Sequence, residues 1–259
     1  MQLTIYIITF SIIALVIFAF ASRKKTALTQ PAHEDEQKIL EEHVLFYQQL
    51  SAAEKTRFET AVQSFLNKVK ITGIKTSVTD KDKVFVAAAA IIPIFAFPGW
   101  EYRNIHEVLL YPGSFGEGYK TEGADRNIAG MVGNGPMQNV MILSQYDLQN
   151  AFLNHSDKSN TPVHEFVHLL DQADGTIDGI PDALLAHQYS IPWLNLMHEE
   201  IKQITSGNSD INPYAATNNA EFLAVTAEYF FEQPQLMEQK HPELYEMLKK
   251  MFNAPSGRM

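Results

Sequence analysis

The first 22 residues of this chain carry no charge, and 17 of them are apolar. A helix rises 1.5 Å per residue, so a run of this length spans roughly 33 Å, enough for a hydrocarbon core of about 30 Å. Arg23, Lys24 and Lys25 follow at once. Basic residues beside an apolar span stay cytoplasmic, so residues 1–22 are expected to form a single-pass membrane anchor with the rest of the chain facing the cytoplasm. Ala19-Phe20-Ala21 has the form of a signal-peptidase site, which makes a cleaved export signal the rival reading. The anchor is preferred because the charges follow the apolar run instead of preceding it. Residues 23–36, basic and then polar with Pro31 among them, read as a juxtamembrane linker, and 37–259 as one domain.

Composition narrows the chemistry that this domain can carry. With no cysteine in 259 residues, disulfides, thiol nucleophiles and thiolate metal centres are all excluded. A metal site must then be built from His, Asp and Glu. Twenty basic residues against 30 acidic ones give a net charge of -10, which argues against a nucleic-acid partner.

Between about 35 and 50, Ile39, Leu40, Val44 and Leu45 recur at helical spacing. Ser51 and Glu54 form a capping box that opens a second helix with Phe58, Ala61, Val62, Phe65, Leu66 and Val69 on its core face. Residues 84–97 are uncharged and apolar but contain Pro93, and are too short to cross a bilayer, so they read as a buried core helix. Residues 106–111 and 139–144 read as strands. Seven of the 13 glycines fall between 113 and 135, which reads as a loop or loose hairpin. Few strands separated by helical stretches predict an α+β domain, mostly helical with a small sheet.

The chemistry is concentrated in His164-Glu165-Phe166-Val167-His168. Thr161 is a candidate cap and Pro162 suits a first turn, so the segment should be helical. Histidines four apart then share one face, close enough for both imidazoles to bind one ion. Glu165 is rotated about 100° from His164, beside the ion, where it can act as general base. This is the His-Glu-x-x-His pattern of zinc peptidases, and two surface histidines on an ordinary helix is the bland alternative.

A catalytic zinc needs a third protein ligand. Glu221 and Glu228 lie seven apart in the apolar stretch that follows Asn218, where an unpaired acid would be costly. Glu221, in the first turn, is the preferred third ligand. Glu228, two turns deeper, is expected to hold a ligand histidine or close a structural pair. Asp171, three residues past His168, is expected to orient that histidine and not to bind metal. Glu232 reads as a solvated helix charge. Tyr214 is either a packed turn tyrosine or a donor to a transition-state oxyanion. The seven other histidines have no ligand spacing and read as structural or exposed. The strand at 139–144, just before the site helix, is the expected pairing edge for an extended substrate.

Several separated blocks carry a family resemblance: Leu50-Ser51-x-x-Glu54, Ala87 to Ile94, Val108 to Gly113, Val140 to Ser144, His164 to Asp171, Gly179-Ile180-Pro181, Pro213-Tyr214, and Ala220 to Val225 with Glu228 to Phe231. Together they resemble the Mlc titration factor A family of zinc peptidases, whose catalytic domain is similar to that of anthrax lethal factor. The resemblance implies a zincin-like domain with one Zn2+ per chain held by His164, His168 and Glu221. It also implies that Glu165 is the catalytic base and that Tyr214 faces the zinc. It further implies a peptide or protein substrate, aminopeptidase-type activity, and a transcriptional-repressor partner of the Mlc kind. From the residues alone, the rivals to a peptidase are a membrane-tethered binding protein with structural zinc and a non-peptidase zinc hydrolase.

Overall fold

The computed structural model describes residues 34–116, 128–133, 137–154, 158–181, 184 and 187–252. The expected anchor, residues 1–22, lies outside these, as does most of the expected linker. No helix among the described residues is long and apolar enough to cross a membrane.

Helix α1 (Glu34–His43) begins inside the expected linker and is followed by the single turn α2 (Leu45–Gln48). The one helix expected here is broken at Val44, whose backbone is extended with ψ 94. The apolar spacing survives the break, because Leu40, Val44 and Tyr47 are all buried. Helix α3 (Ala52–Lys68) starts at the expected capping box, in which Ser51 accepts the Glu54 N–H while Glu54 accepts the Ser51 N–H at 3.0 Å. Phe58, Val62 and Phe65 line its core face.

Strand β1 (Lys70–Gly73) leads into α4 (Asp80–Ile91), which opens on a second capping box made by Thr79 and Asp82. Every residue from Val84 to Ile91 is buried. The α-helix stops at 91, short of the expected 97, because Pro93 lacks an amide hydrogen and the chain tightens into a 3-10 turn at Ile92–Ile94. Strands β2 (Glu107–Tyr111), β3 (Gly130–Val132) and β4 (Val140–Ser144) complete one sheet in the order β1-β2-β4-β3. The first three run parallel, with Leu109 opposite Ile142, while β3 runs antiparallel with Met131 opposite the same Ile142. The glycine-rich stretch expected as a loop therefore contains an edge strand.

Helix α5 (Gln145–Leu153) follows β4 directly, and α6 (Thr161–Asp171), α7 (Ser190–Thr205), α8 (Asn219–Glu232), α9 (Pro234–Lys240) and α10 (Pro242–Phe252) make up the rest. Helices α6 and α8 pack on one another, and α6 also abuts β3. Phe166, Trp193, Phe222 and Tyr229 are large core side chains among them. The architecture is the expected α+β domain, mostly helical around a small sheet.

Candidate metal centre

The start of α6 is fixed from α8. Asn160, not Thr161, caps the helix, its Oδ1 accepting the Val163 N–H at 3.1 Å. Thr161 and Pro162 occupy the first turn, where a proline's missing N–H costs nothing. Asn160 is itself buried, donating its N–H to Glu228 Oε2 at 2.5 Å and its Nδ2 to Glu232 Oε1 at 2.7 Å. Glu232 is thus a holder of the cap residue and not the solvated charge expected. Helix α8 starts at the expected Asn218, whose Oδ1 accepts the Glu221 N–H at 2.9 Å.

These two helices bring His164, His168 and Glu221 together. The two histidine Nε2 atoms are 3.0 Å apart, and Glu221 Oε2 lies 3.0 Å from that of His164 and 3.4 Å from that of His168. One ligand atom from each residue falls within 4.8 Å of the others, so the three could hold a metal ion. Glu228 Oε1 lies 2.6 Å from His164 Nδ1, a contact that assigns the ring proton to Nδ1. His164 Nε2 then turns a lone pair toward Glu221 and His168. Lone pairs converging on one point are a donor set for a divalent cation such as zinc, so the residues fit the group.

A proton competes with a cation for that His164 lone pair. Burial opposes a charge on His164, but Glu221 and Glu228 outweigh it and push its pKa up to about 10. Burial would likewise raise Glu221, yet the two histidines hold it well below the usual carboxylate range. Both shifts express one attraction, which draws positive charge to the point where the three side chains meet. Glu165 is buried next to them, and burial raises its pKa.

Tyr214 sits in the 3-10 turn Pro213–Ala216, where Asn212 Oδ1 accepts its N–H at 3.0 Å. It is 52% exposed, so it is not a packed turn tyrosine. Its ring centroid lies 6.2 Å from that of His164, and partial burial together with the Glu221 carboxylate raises its hydroxyl pKa.

Asp171 does something other than expected. Its Oδ2 accepts the Gly179 N–H at 2.8 Å, while its Oδ1 and His168 Nδ1 are both buried without a hydrogen-bond partner among the described residues. No hydrogen bond to His168 is made there, and burial pushes the Asp171 carboxyl up to about 6. Gly179 in turn accepts the Trp193 Nε1–H at 2.7 Å and has φ +77. A Cβ on Gly179 would lie 2.3 Å from Asn219 O, so this turn presses directly on the start of α8.

The three metal-binding candidates, Glu165 and Tyr214 open onto a cavity of about 680 Å³. Gly130, Met131 and Val132 of β3 line it too, as do Ile177, Asp178 and Asn219, none of which sequence patterning singled out. Strand β4 cannot serve as the substrate edge, because β2 and β3 occupy its two sides. The edge beside the cavity is β3. Of the other histidines, His43 packs edge-on against Phe85, His241 lies between Glu200 and Asp210, and His106 and His198 are exposed. The side chains of His33, His155 and His187 are outside the described residues.

A family model described as glucose-regulated metallo-peptidase M90 matches residues 18–253. An uncharacterised protein of Synechocystis sp. is 30% identical over 89% of this chain and 87% of its own length. The Mlc titration factor A of Pectobacterium atrosepticum is 27% identical, covering 81% of this chain and 83% of its own. That of Salmonella arizonae is 29% identical, covering 81% and 88%. A match across nearly the whole chain, with a His/His/Glu centre inside it, means that this chain belongs to the glucose-regulated metallo-peptidase M90 family.

Proposed function

We propose that this chain is a zinc-dependent peptidase in which Glu165 is the general base. The observation that carries the reading is the convergence of His164, His168 and Glu221 with Glu165 buried alongside. Zinc held by those three residues would supply a Lewis acid that polarises the scissile carbonyl and lowers the pKa of water to about 7. Glu165 takes the proton from the attacking water and returns it to the leaving amine, a task suited to a carboxylate whose pKa burial has raised. The Tyr214 hydroxyl donates to the developing oxyanion. Glu228 holds His164 by its Nδ1–H and keeps the other nitrogen free to bind.

Among the described residues the edge of β3 beside the cavity has no strand partner, and it suits an extended peptide whose backbone would pair along Gly130–Val132. Aminopeptidase-type action is the finer proposal, supported by the family likeness alone. Zinc analysis of residues 26–259, with turnover of N-terminally blocked and free peptides, tests both levels. Metal-free protein that still cleaves peptides would refute the zinc reading, and equal cleavage of blocked and free peptides would refute the aminopeptidase one.

A second reading follows from the name Mlc titration factor A borne by relatives. It makes this chain a tethered regulator that sequesters a repressor of the Mlc kind, with structural zinc. The Glu165→Gln variant separates the two: catalysis predicts lost cleavage with metal retained, whereas sequestration predicts repressor binding and its cellular effect undiminished.

A further inference from the structure

Four glycines among the described residues, Gly73, Gly130, Gly133 and Gly179, have a neighbour where a Cβ would go. At Gly73, Gly133 and Gly179 the nearest obstructing atom is a backbone oxygen. At Gly130 it is the side chain of Glu165, with Cγ at 2.6 Å, Oε1 at 2.7 Å and Cδ at 2.9 Å from the Cβ position. We infer that Gly130 is a positioning residue for Glu165, its missing side chain leaving the slot in which the base is seated. The inference rests on the reading of Glu165 as general base.

Neither wall of the slot is free to retreat. Gly130 is paired with Leu143 on β4, and the adjacent Ala129 carbonyl accepts the Ser144 N–H at 2.8 Å. On the other side, α6 is held through Asn160 and its bonds to Glu228 and Glu232. Gly130 is not among the glycines with positive φ, so its backbone conformation is open to any residue. Space, and not backbone freedom, is what requires glycine here. A methyl group would push the Glu165 carboxylate out of its place while leaving His164, His168 and Glu221 untouched. Misplacement of a reacting group by about 1 Å costs on the order of 100-fold in rate.

The test is Gly130→Ala in the full chain, read by zinc content, melting temperature, kcat and KM beside Glu165→Gln. The expected result is a kcat lower by about tenfold or more, with bound zinc unchanged and KM within about twofold. In a Gly130→Ala/Glu165→Asp double variant the two losses are less than multiplicative, since both changes act by displacing the same carboxylate. A smaller fall in kcat, or multiplicative losses, overturns the inference. If Glu165→Gln keeps parental turnover, the general-base reading itself fails; if that variant is inactive and Gly130→Ala is not impaired, only the positioning role fails. Should Gly130→Ala not fold, adding Glu165→Ala restores folding by removing the obstruction, and failure to restore it is equally decisive against the proposal.

Discussion

Asp171 and Gly179 are joined by a 2.8 Å hydrogen bond that ties the end of the histidine-bearing helix to a turn pressed on the start of the helix carrying Glu221. Gly179 meets two demands at once, a left-handed φ of +77 and a 2.3 Å approach of the Cβ position to Asn219 O. Replacing it by alanine is expected to destabilise the protein by roughly 1–3 kcal/mol. Metal affinity should fall as well, because Asn219 shifts with Glu221 close behind it. Thermal melting and competition with a chelator measure the two effects, and parental values for both would refute this account of the brace.

Glu228 reaches His164 Nδ1 with one oxygen and the Asn160 N–H with the other. Glu228→Gln keeps an acceptor for the imidazole but loses the charge that favours a cation. Loss of such a partner typically costs 10–100-fold in metal affinity, and a drop of about that size is predicted. Glu228→Ala should add a loss of stability by leaving the buried Asn160 N–H without its acceptor. A chelator titration that left Glu228→Gln level with the parent would exclude this role.

More than half of Tyr214 is exposed, so deleting its hydroxyl should leave melting unchanged. If that hydroxyl meets the oxyanion, Tyr214→Phe lowers kcat by about 100-fold or more, the 2.7–4 kcal/mol found for such donors, with little change in KM. Steady-state kinetics on a peptide substrate decide the matter. A change confined to KM would make Tyr214 a substrate-binding residue only.

Away from the site, Asp210 meets Lys158 at 2.6 Å, Lys240 at 2.7 Å and His241 at 2.8 Å. Burial alone would raise Asp210, but these partners hold it well below the usual carboxylate range. His241 is raised, chiefly by its bond to Glu200 and, against burial, by Asp210. A depressed carboxylate stabilises above its unfolded value of about 3.9 and loses that contribution as pH falls through its lower folded value. A raised imidazole stabilises below about 6.5 and loses its contribution as pH rises through its higher folded value. The melting difference between the parent and Asp210→Asn is therefore greatest at about pH 5–6.5 and narrows on both sides. Melts across pH 3–9 test it, and a flat difference would mean that the cluster acts by packing alone.

What could be read in advance follows a physical division. His164, His168 and Glu165 were legible because helical geometry alone sets their relation, and Glu221 because an acid in an apolar helix needs a partner. The capping box at Ser51 and the buried run from Val84 were local in the same sense. Strand β3 was not, since three residues that begin with Gly130 and run into Gly133 carry no alternation and exist as a strand only through pairing with β4. Asn160 and Glu232 were missed because their contact spans 72 residues of sequence. Asp171 was assigned by its spacing from His168, but the chain tightens into a 3-10 turn after it and the Gly179 N–H takes its carboxylate.

His164 and Glu221 are 57 residues apart, and the whole sheet precedes both of them. On the ribosome the sheet and the histidine pair emerge well before the third side chain of the centre exists. An ion at that centre fastens a long loop last, and mass action then adds RT ln(1 + [M]/Kd) to the closed state. The helices from α8 onward would open more often in a chain starved of metal. Its lifetime against proteolysis should accordingly follow metal supply, which makes abundance as well as turnover a reporter of the centre.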